Sequence, residues 1–237
     1  MLTIGHRGAA GHAPENTIAS VRKAIELGAD WVEIDLYCVD NQLMVFHDDR
    51  LERTTNGSGL VMEQRFEYLR SLDAGNGERI PTLQEIFETV QDSSRPLGIN
   101  IELKGPKTAQ AAVQFLQQWL VEHPDWPADQ LLVSSFQHEQ LRQVRSLNDP
   151  TNPGQTNPNI RLGVLFGELP EAAIAIAQSL GASTINPRLD TVTAAWVEAA
   201  HQASLQVWVY TVNEPEDWAR MRSLRVDAVF TDYPDRR

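Results

Sequence analysis

Apolar and polar positions follow two rhythms along this chain, and the rhythms take turns. Short apolar or alternating runs predict strands at 2–6, 31–39, 43–47, 97–103, 131–136, 161–166, 183–187, 206–212 and 227–232. Between them, apolar residues three or four apart predict helices at 15–27, 82–90, 108–122, 138–147, 171–180, 193–203 and 215–224. Ile18, Val21 and Ile25 show the spacing in the first helix, and Gly28 closes it; Gly181 closes the helix at 171–180 in the same way. The runs at 31–39 and 43–47 flank Asp40-Asn41 and read as a hairpin. From Asp48 to about Pro81 the rhythm is lost. With NGSG at 56–59 and AGNG at 74–77, this stretch reads as an irregular insertion holding one short helix.

Setting aside the hairpin's return arm leaves eight strands with helices between most of them. Parallel neighbours need such crossovers, so the pattern predicts a parallel sheet. Eight units in 237 residues favour one α/β domain, a closed (β/α)8 TIM barrel spanning 1–237, with a small insertion after the second strand at 48–80. An open dinucleotide-binding sheet would need G-x-G-x-x-G after its first strand, a spacing that Gly5, Gly8 and Gly11 lack. LGADWVEIDL at 27–36 and LGASTINPRL at 180–189 share a helix-glycine-strand junction, in keeping with repeated units. The turn-rich NDPTNPGQTNPN at 148–159 precedes a strand, which would put it on the barrel's stability face.

Composition changes this picture little. Hydrophobic residues at 42% and charged residues at 22% exclude wholesale disorder, and no apolar run approaches the roughly 18 residues of a membrane span. The start MLTIGHRG has neither a basic stretch nor an apolar core of a secretory leader, and one cysteine, Cys38, suits a reducing compartment. The expectation is a cytoplasmic protein without stable membrane association. Charge matters more. Lys and Arg number 20 against 32 Asp and Glu, a net −12 with no basic stripe, which argues against nucleic acid and anionic membranes as partners. A small molecule is the partner expected. Oligomeric state leaves no mark in the sequence.

The polar residues on the strands are where chemistry enters, because barrel strands carry function at their C-terminal ends. The first predicted strand ends in His6-Arg7-Gly8, the second carries Glu33 and Asp35, the return arm ends in His47-Asp48, and the next strand carries Glu102 and Lys104. A lone histidine or carboxylate at a strand end is more often structural. Two acids two apart share one face of a buried strand, however, and repel there unless something positive lies between them. With Glu102 they form a ligand set suited to one hard divalent cation, Mg²⁺ or Ca²⁺; a buried salt-bridge network with Arg7 and Lys104 is the structural alternative. Arg7 and Lys104 would suit a phosphate, and His6 and His47 supply a pair of groups for acid-base work. His12, His123, His138 and His201 lack such settings and read as surface or packing histidines.

These residues stand in motifs that resemble the glycerophosphodiester phosphodiesterase family, of the phospholipase C-like phosphodiesterase superfamily. H-R-G, P-E-N-T, E-x-D, H-D and R-T-T-x-G-x-G stand at His6–Gly8, Pro14–Thr17, Glu33–Asp35, His47–Asp48 and Arg53–Gly59. LDAG at 72–75, IPTLQEIF at 80–87, IELK at 101–104, SSF at 134–136, VWVYTVN at 207–213 and FTDYP at 230–234 follow in order. The resemblance implies a barrel with its small insertion, 48–80, over the mouth. It implies a divalent metal on Glu33, Asp35 and Glu102, acid-base catalysis by His6 and His47, and phosphate on Arg7 and Lys104. It also implies that Trp208 lines the alcohol side of the pocket, whereas the residue alone reads equally as a core aromatic. Cys38 and Phe66 depart from the family's usual residues without touching this set.

The implied reaction is hydrolysis of glycerophosphodiesters to sn-glycerol-3-phosphate and an alcohol. Sequence leaves open whether water attacks directly or the glycerol 2-hydroxyl first closes a cyclic phosphate, and which histidine is the acid. A lysophospholipase D-type enzyme would need an apolar lip, for which Leu60, Val61, Met62, Phe66, Tyr68 and Leu69 are candidates. A catalytically silent binding barrel would be expected to lose one of the histidines or acids, and a metal-dependent isomerase is disfavoured by H-R-G and the paired histidines.

Overall fold

In the computed structural model, which describes residues 1–93, 95–149 and 160–237, six of the eight parallel strands hand over to a helix that carries the chain back to the barrel floor. The strands are β1 (Leu2–Gly5), β2 (Trp31–Val39), β3 (Gln42–Val45), β4 (Gly98–Leu103), β5 (Leu131–Ser135), β6 (Arg161–Phe166), β7 (Thr184–Pro187), β8 (Gln206–Val209) and β9 (Ala228–Thr231). Among the described residues, eight of them are parallel in the order β1-β9-β8-β7-β6-β5-β4-β2. The β1–β2 pairing closes the ring, with Ile4 opposite both Trp31 and Phe230. This is the (β/α)8 barrel expected from the alternation of patterns. The turn-rich stretch lies, from Pro150 to Asn159, outside the described residues.

The helices are α1 (Ile18–Glu26), α2 (Phe66–Ser71), α3 (Leu83–Gln91), α4 (Thr108–Glu122), α5 (His138–Leu147), α6 (Ala173–Ser179), α7 (Ala194–Gln202) and α8 (Pro215–Leu224). Their apolar stripes, such as Leu83, Ile86, Phe87 and Val90 of α3, bury against outward strand residues such as Val32, Ile34 and Leu36. One boundary shift bears on function. α1 begins at Ile18, because Thr17 caps it and forms a capping box with Ser20. Glu15 and Asn16 therefore lie outside the helix, in the turn at the barrel mouth.

β3 pairs antiparallel with β2, and the turn residues Asp40 (φ 53°) and Asn41 (φ 59°) are both left-handed, as a two-residue hairpin turn requires. β3 ends at Val45, two residues earlier than expected, although the Phe46 N–H still donates to the Asp35 carbonyl, and on its other edge the Val45 N–H donates to the Pro81 carbonyl. The irregular stretch after it forms a 3-10 turn (Val61–Glu63) and the one short helix, α2. Leu51, Val61, Leu69, Leu72 and Ile80 pack there with Tyr37, Met44 and Phe46 as a core of their own.

Inside the barrel the lower end is apolar: Ile4, Trp31, Leu132, Trp208, Ala228 and Phe230 fill it. Gly98 faces the Trp31 ring so closely that a Cβ would lie 2.1 Å from it. The Arg161 guanidinium lies over both Trp31 (5.8 Å) and Trp208 (5.7 Å) and closes the floor. Trp208 is fully buried, edge-on to Trp31, with its indole N–H on Gln206. It is a floor residue, contrary to the pocket role that the resemblance implies. Its position three residues into β8 sets it below the mouth, and Tyr210 occupies the higher place. Trp208→Ala is therefore expected to cost about 3–5 kcal/mol in equilibrium denaturation. A loss under about 1 kcal/mol would return Trp208 to an open pocket wall.

Candidate active site

Two neighbouring strands bring the acids together. Glu33 lies opposite Asn100, and Asp35 opposite Glu102, across the β2–β4 ladder, and the period of two sends these side chains into the barrel. One oxygen each from Glu33, Asp35 and Glu102 lies within 4.8 Å of the others, and all three residues are buried. Lys104 Nζ bridges Glu102 (2.5 Å) and Asp35 (3.1 Å). Asp35 also accepts from Asn16 Nδ2 at 2.8 Å and faces Arg7 Nε at 3.4 Å. The salt-bridge network weighed as an alternative is thus present, yet it is incomplete. Glu33 accepts only the Arg7 backbone N–H on Oε2 (2.9 Å), and its buried Oε1 has no partner among the described residues.

The electrostatics follow this uneven compensation. Burial, with Asp35 and Glu102 adding repulsion, pushes Glu33 well above the usual carboxylate range. Burial and Asp35 push Glu102 up to about 7, against the pull of Lys104. Burial would raise Asp35 too, but Lys104, Arg7 and His47 outweigh it and hold that carboxyl low. Three hard anionic donors with one orphaned oxygen are a fit for a divalent cation, which would be held by Glu33, Asp35 and Glu102.

Each histidine is held by a carboxylate on one nitrogen. His6 Nδ1 lies 2.7 Å from Asp232, which also accepts from Asn213 Nδ2 at 2.6 Å. His47 Nδ1 lies 2.6 Å from Asp48. Such second contacts fix ring orientation and leave Nε2 for chemistry. Burial lowers the His47 pKa, with Lys104 and Arg7 adding to it against Asp35 and Asp48. Both rings line a cavity of about 230 Å³ together with Arg7, Glu102, Lys104 and Tyr210. A larger concavity, about 520 Å³ beside His123 and Trp126, lies at the far end of α4 from Lys104 and has no such convergence. His12, His123, His138 and His201 are engaged elsewhere, by Asp235, Trp119, Leu165 and Asp227 respectively.

All the ionisable residues singled out in the sequence thus meet at one mouth, and Trp208 does not join them. Several participants went unassigned: Glu15, Asn16, Asp48, Arg53, Asn213 and Asp232. Their one signal was membership of the quoted motifs, since each sits in a turn where periodicity carries no information.

Stability should report the buried acids directly. Glu33 and Glu102 have raised folded-state pKa values, so the stability they contribute is complete below the ordinary carboxylate pKa and is lost as pH rises through about 7. Asp35, Glu15 and Asp232, held low, act with the opposite sign in acid, and His47, also lowered, opposes the two glutamates only up to its ordinary pKa of about 6.5. The metal-free melting temperature is therefore expected to fall between pH 6 and pH 8. A divalent cation should raise it more at pH 8, where protons compete less for the same oxygens. Thermal unfolding with chelator or added Mg²⁺ or Ca²⁺ checks this. A metal-free melting temperature that climbs over that range would overturn it.

Comparison with known proteins agrees with the fold. The model of the glycerophosphoryl diester phosphodiesterase family matches residues 6–236. A glycerophosphodiester phosphodiesterase of Caldanaerobacter subterraneus subsp. tengcongensis is 32% identical over 99% of this chain and 95% of its own length. Another, from Bacillus altitudinis, is 33% identical over 98% of this chain and 95% of its own. Among solved structures, an Oleispira antarctica phosphodiesterase in complex with the product sn-glycerol-3-phosphate superposes with a TM-score of 0.87 at 31% identity, covering 99% of this chain and 94% of that one. The chain belongs to the glycerophosphoryl diester phosphodiesterase family.

Proposed function

We propose that this chain, an enzyme of the phosphodiesterase class, hydrolyses glycerophosphodiesters to sn-glycerol-3-phosphate and a free alcohol with the help of one divalent cation, Mg²⁺ or Ca²⁺. The observation that carries the reading is the incompletely compensated triad of Glu33, Asp35 and Glu102 between two imidazoles, each fixed by its own carboxylate. The product bound in the Oleispira antarctica relative supports it. A cation on the three carboxylates would supply Lewis-acid stabilisation of the phosphoryl charge.

The chain's own residues do the rest. Arg7 and Lys104 face the anionic diester and stabilise charge on its oxygens. His47, whose neutral form is favoured by burial and by these two cations, takes the proton from the attacking hydroxyl. His6, oriented by Asp232 on its Nδ1, gives a proton to the departing alkoxide. This division holds whether water or the glycerol 2-hydroxyl attacks. Residues 48–80 act as a small cover beside the mouth, reached through Arg53. Their apolar residues serve this segment's own core: Val61 and Leu69 are buried, leaving Met62 and Tyr68 as its exposed large apolar side chains. That favours a water-soluble diester over a lysolipid. No helix among the described residues is long and apolar enough to cross a membrane.

The test is release of sn-glycerol-3-phosphate from glycerophosphocholine with Mg²⁺, with Ca²⁺ and with a chelator. His47→Ala is expected to lose about 10²–10⁴-fold in kcat with cation affinity kept. Glu102→Ala is expected to weaken the cation by more than about tenfold. Cation-independent release, or near-full activity in His47→Ala, would sink the mechanism. Turnover of a lysophospholipid alone would transfer the reading to the lysophospholipase D type.

A further inference from the structure

One arginine of the 48–80 segment bonds two carboxylates at the edge of the site with its whole guanidinium. Arg53 Nε and Nη2 bind Asp48 at 2.5 and 2.8 Å, and Nη1 and Nη2 bind Glu15 at 2.8 and 2.6 Å. Asp48 holds His47 Nδ1 at 2.6 Å, while Glu15 accepts from Arg7 Nη1 at 2.7 Å. An unbroken chain, His47–Asp48–Arg53–Glu15–Arg7, therefore joins the base to the phosphate-facing cation. Its anchor is firm. Leu51 is fully buried and donates to the Gly59 carbonyl, and Thr55 bonds back to the Leu51 carbonyl through both its N–H and its hydroxyl.

We infer that Arg53 is a positioning residue for this reaction, setting the orientation of His47 through Asp48 and of Arg7 through Glu15 at the same time. The inference rests on the function proposed above. Arg53 touches neither His47 nor Arg7; it acts through the two carboxylates. Its side chain is 49% exposed, so solvent screens its charge and the geometry of the fork carries the effect. A planar guanidinium serves two carboxylates in one plane, which a lysine ammonium does not. Without the fork, Asp48 is free to turn away from His47, and Glu15 keeps Arg7 alone. Displacements of about 1 Å at such a site cost on the order of a hundredfold in rate.

The experiment compares wild type, Arg53→Ala, Arg53→Lys and Arg50→Ala, the last removing an arginine of the same segment that pairs only with exposed Glu52. Arg53→Ala is expected to lose about 10- to 100-fold in kcat and to gain in KM for glycerophosphocholine, with an unchanged melting temperature. Added guanidinium should restore part of that loss, Arg53→Lys should restore little, and Arg50→Ala should behave as wild type. A second readout needs no turnover: in ¹⁵N-histidine spectra, the His47 ring signals broaden or shift in Arg53→Ala, while those of His6, held by Asp232, do not. An unchanged His47 signal would overturn the inference. So would an activity loss that tracks lost folded protein without guanidinium recovery. If wild type released no sn-glycerol-3-phosphate, the proposed function would fall, and the spectra would still decide whether Arg53 orients His47.

Discussion

Three carboxylates buried within 4.8 Å of one another are an electrostatic problem before they are a site, and much of the mouth is arranged around solving it. Lys104, just past the end of β4, reaches both Glu102 and Asp35. The first turn of the chain bends to serve the other side. Arg7 adopts φ 51°, turning its N–H to Glu33 while its guanidinium meets Asp35 and Glu15; Asn16 adopts φ 58° and places its amide on Asp35. Left-handed backbone at non-glycine residues costs on the order of 1–3 kcal/mol each, and here it delivers donors to buried anions. Gly8, at φ 84°, lets this turn lie on α1, where a Cβ would come within 2.5 Å of Ser20 backbone.

The barrel makes such a concentration tolerable by dividing its interior. Trp31, Trp208, Leu132 and Phe230 form a dry floor capped from below by Arg161, and the ionisable residues are held to the strand ends above. The floor gives the site its rigidity, since β2 and β4 enter the mouth from a packed layer. Orientation of the histidines comes from a different source, the loops. Asp232 and Asn213 lie beyond β9 and β8, and Asp48 and Arg53 lie beyond β3. Strands place the anions; loops orient the histidines.

That division explains what could be read from the sequence. WVEIDLYCV and GINIEL alternate cleanly, so the shared inward face of Glu33, Asp35 and Glu102 was legible from period alone. The barrel followed from eight repeats of one unit, and His6 and His47 from their places at strand ends. Arg53, Glu15 and Asp232 have no such phase: their partners lie 5 to 226 positions away, and loop geometry decides the pairing. Trp208 shows the converse limit. Its motif was recognisable, but its height in the barrel depends on register around the closed ring, and register placed it on the floor with Trp31.

A net charge of −12 and an anionic substrate look incompatible until the distances are considered. Solvent ions screen exposed charges over about 8 Å at physiological ionic strength, so a diester entering the mouth responds to its immediate lining. That lining sets Arg7 and Lys104 in a small, partly desolvated cavity beside Glu33 and Glu102, whose negative charge they offset. A cation on the triad would tip the local balance toward positive charge. An extended polyanion is held along a basic track, whereas a single phosphodiester needs only the few ångströms that the mouth supplies. Under the function proposed above, the acidic surface and the small mouth would act in the same direction, toward one small anion at a time once a cation sits on the triad.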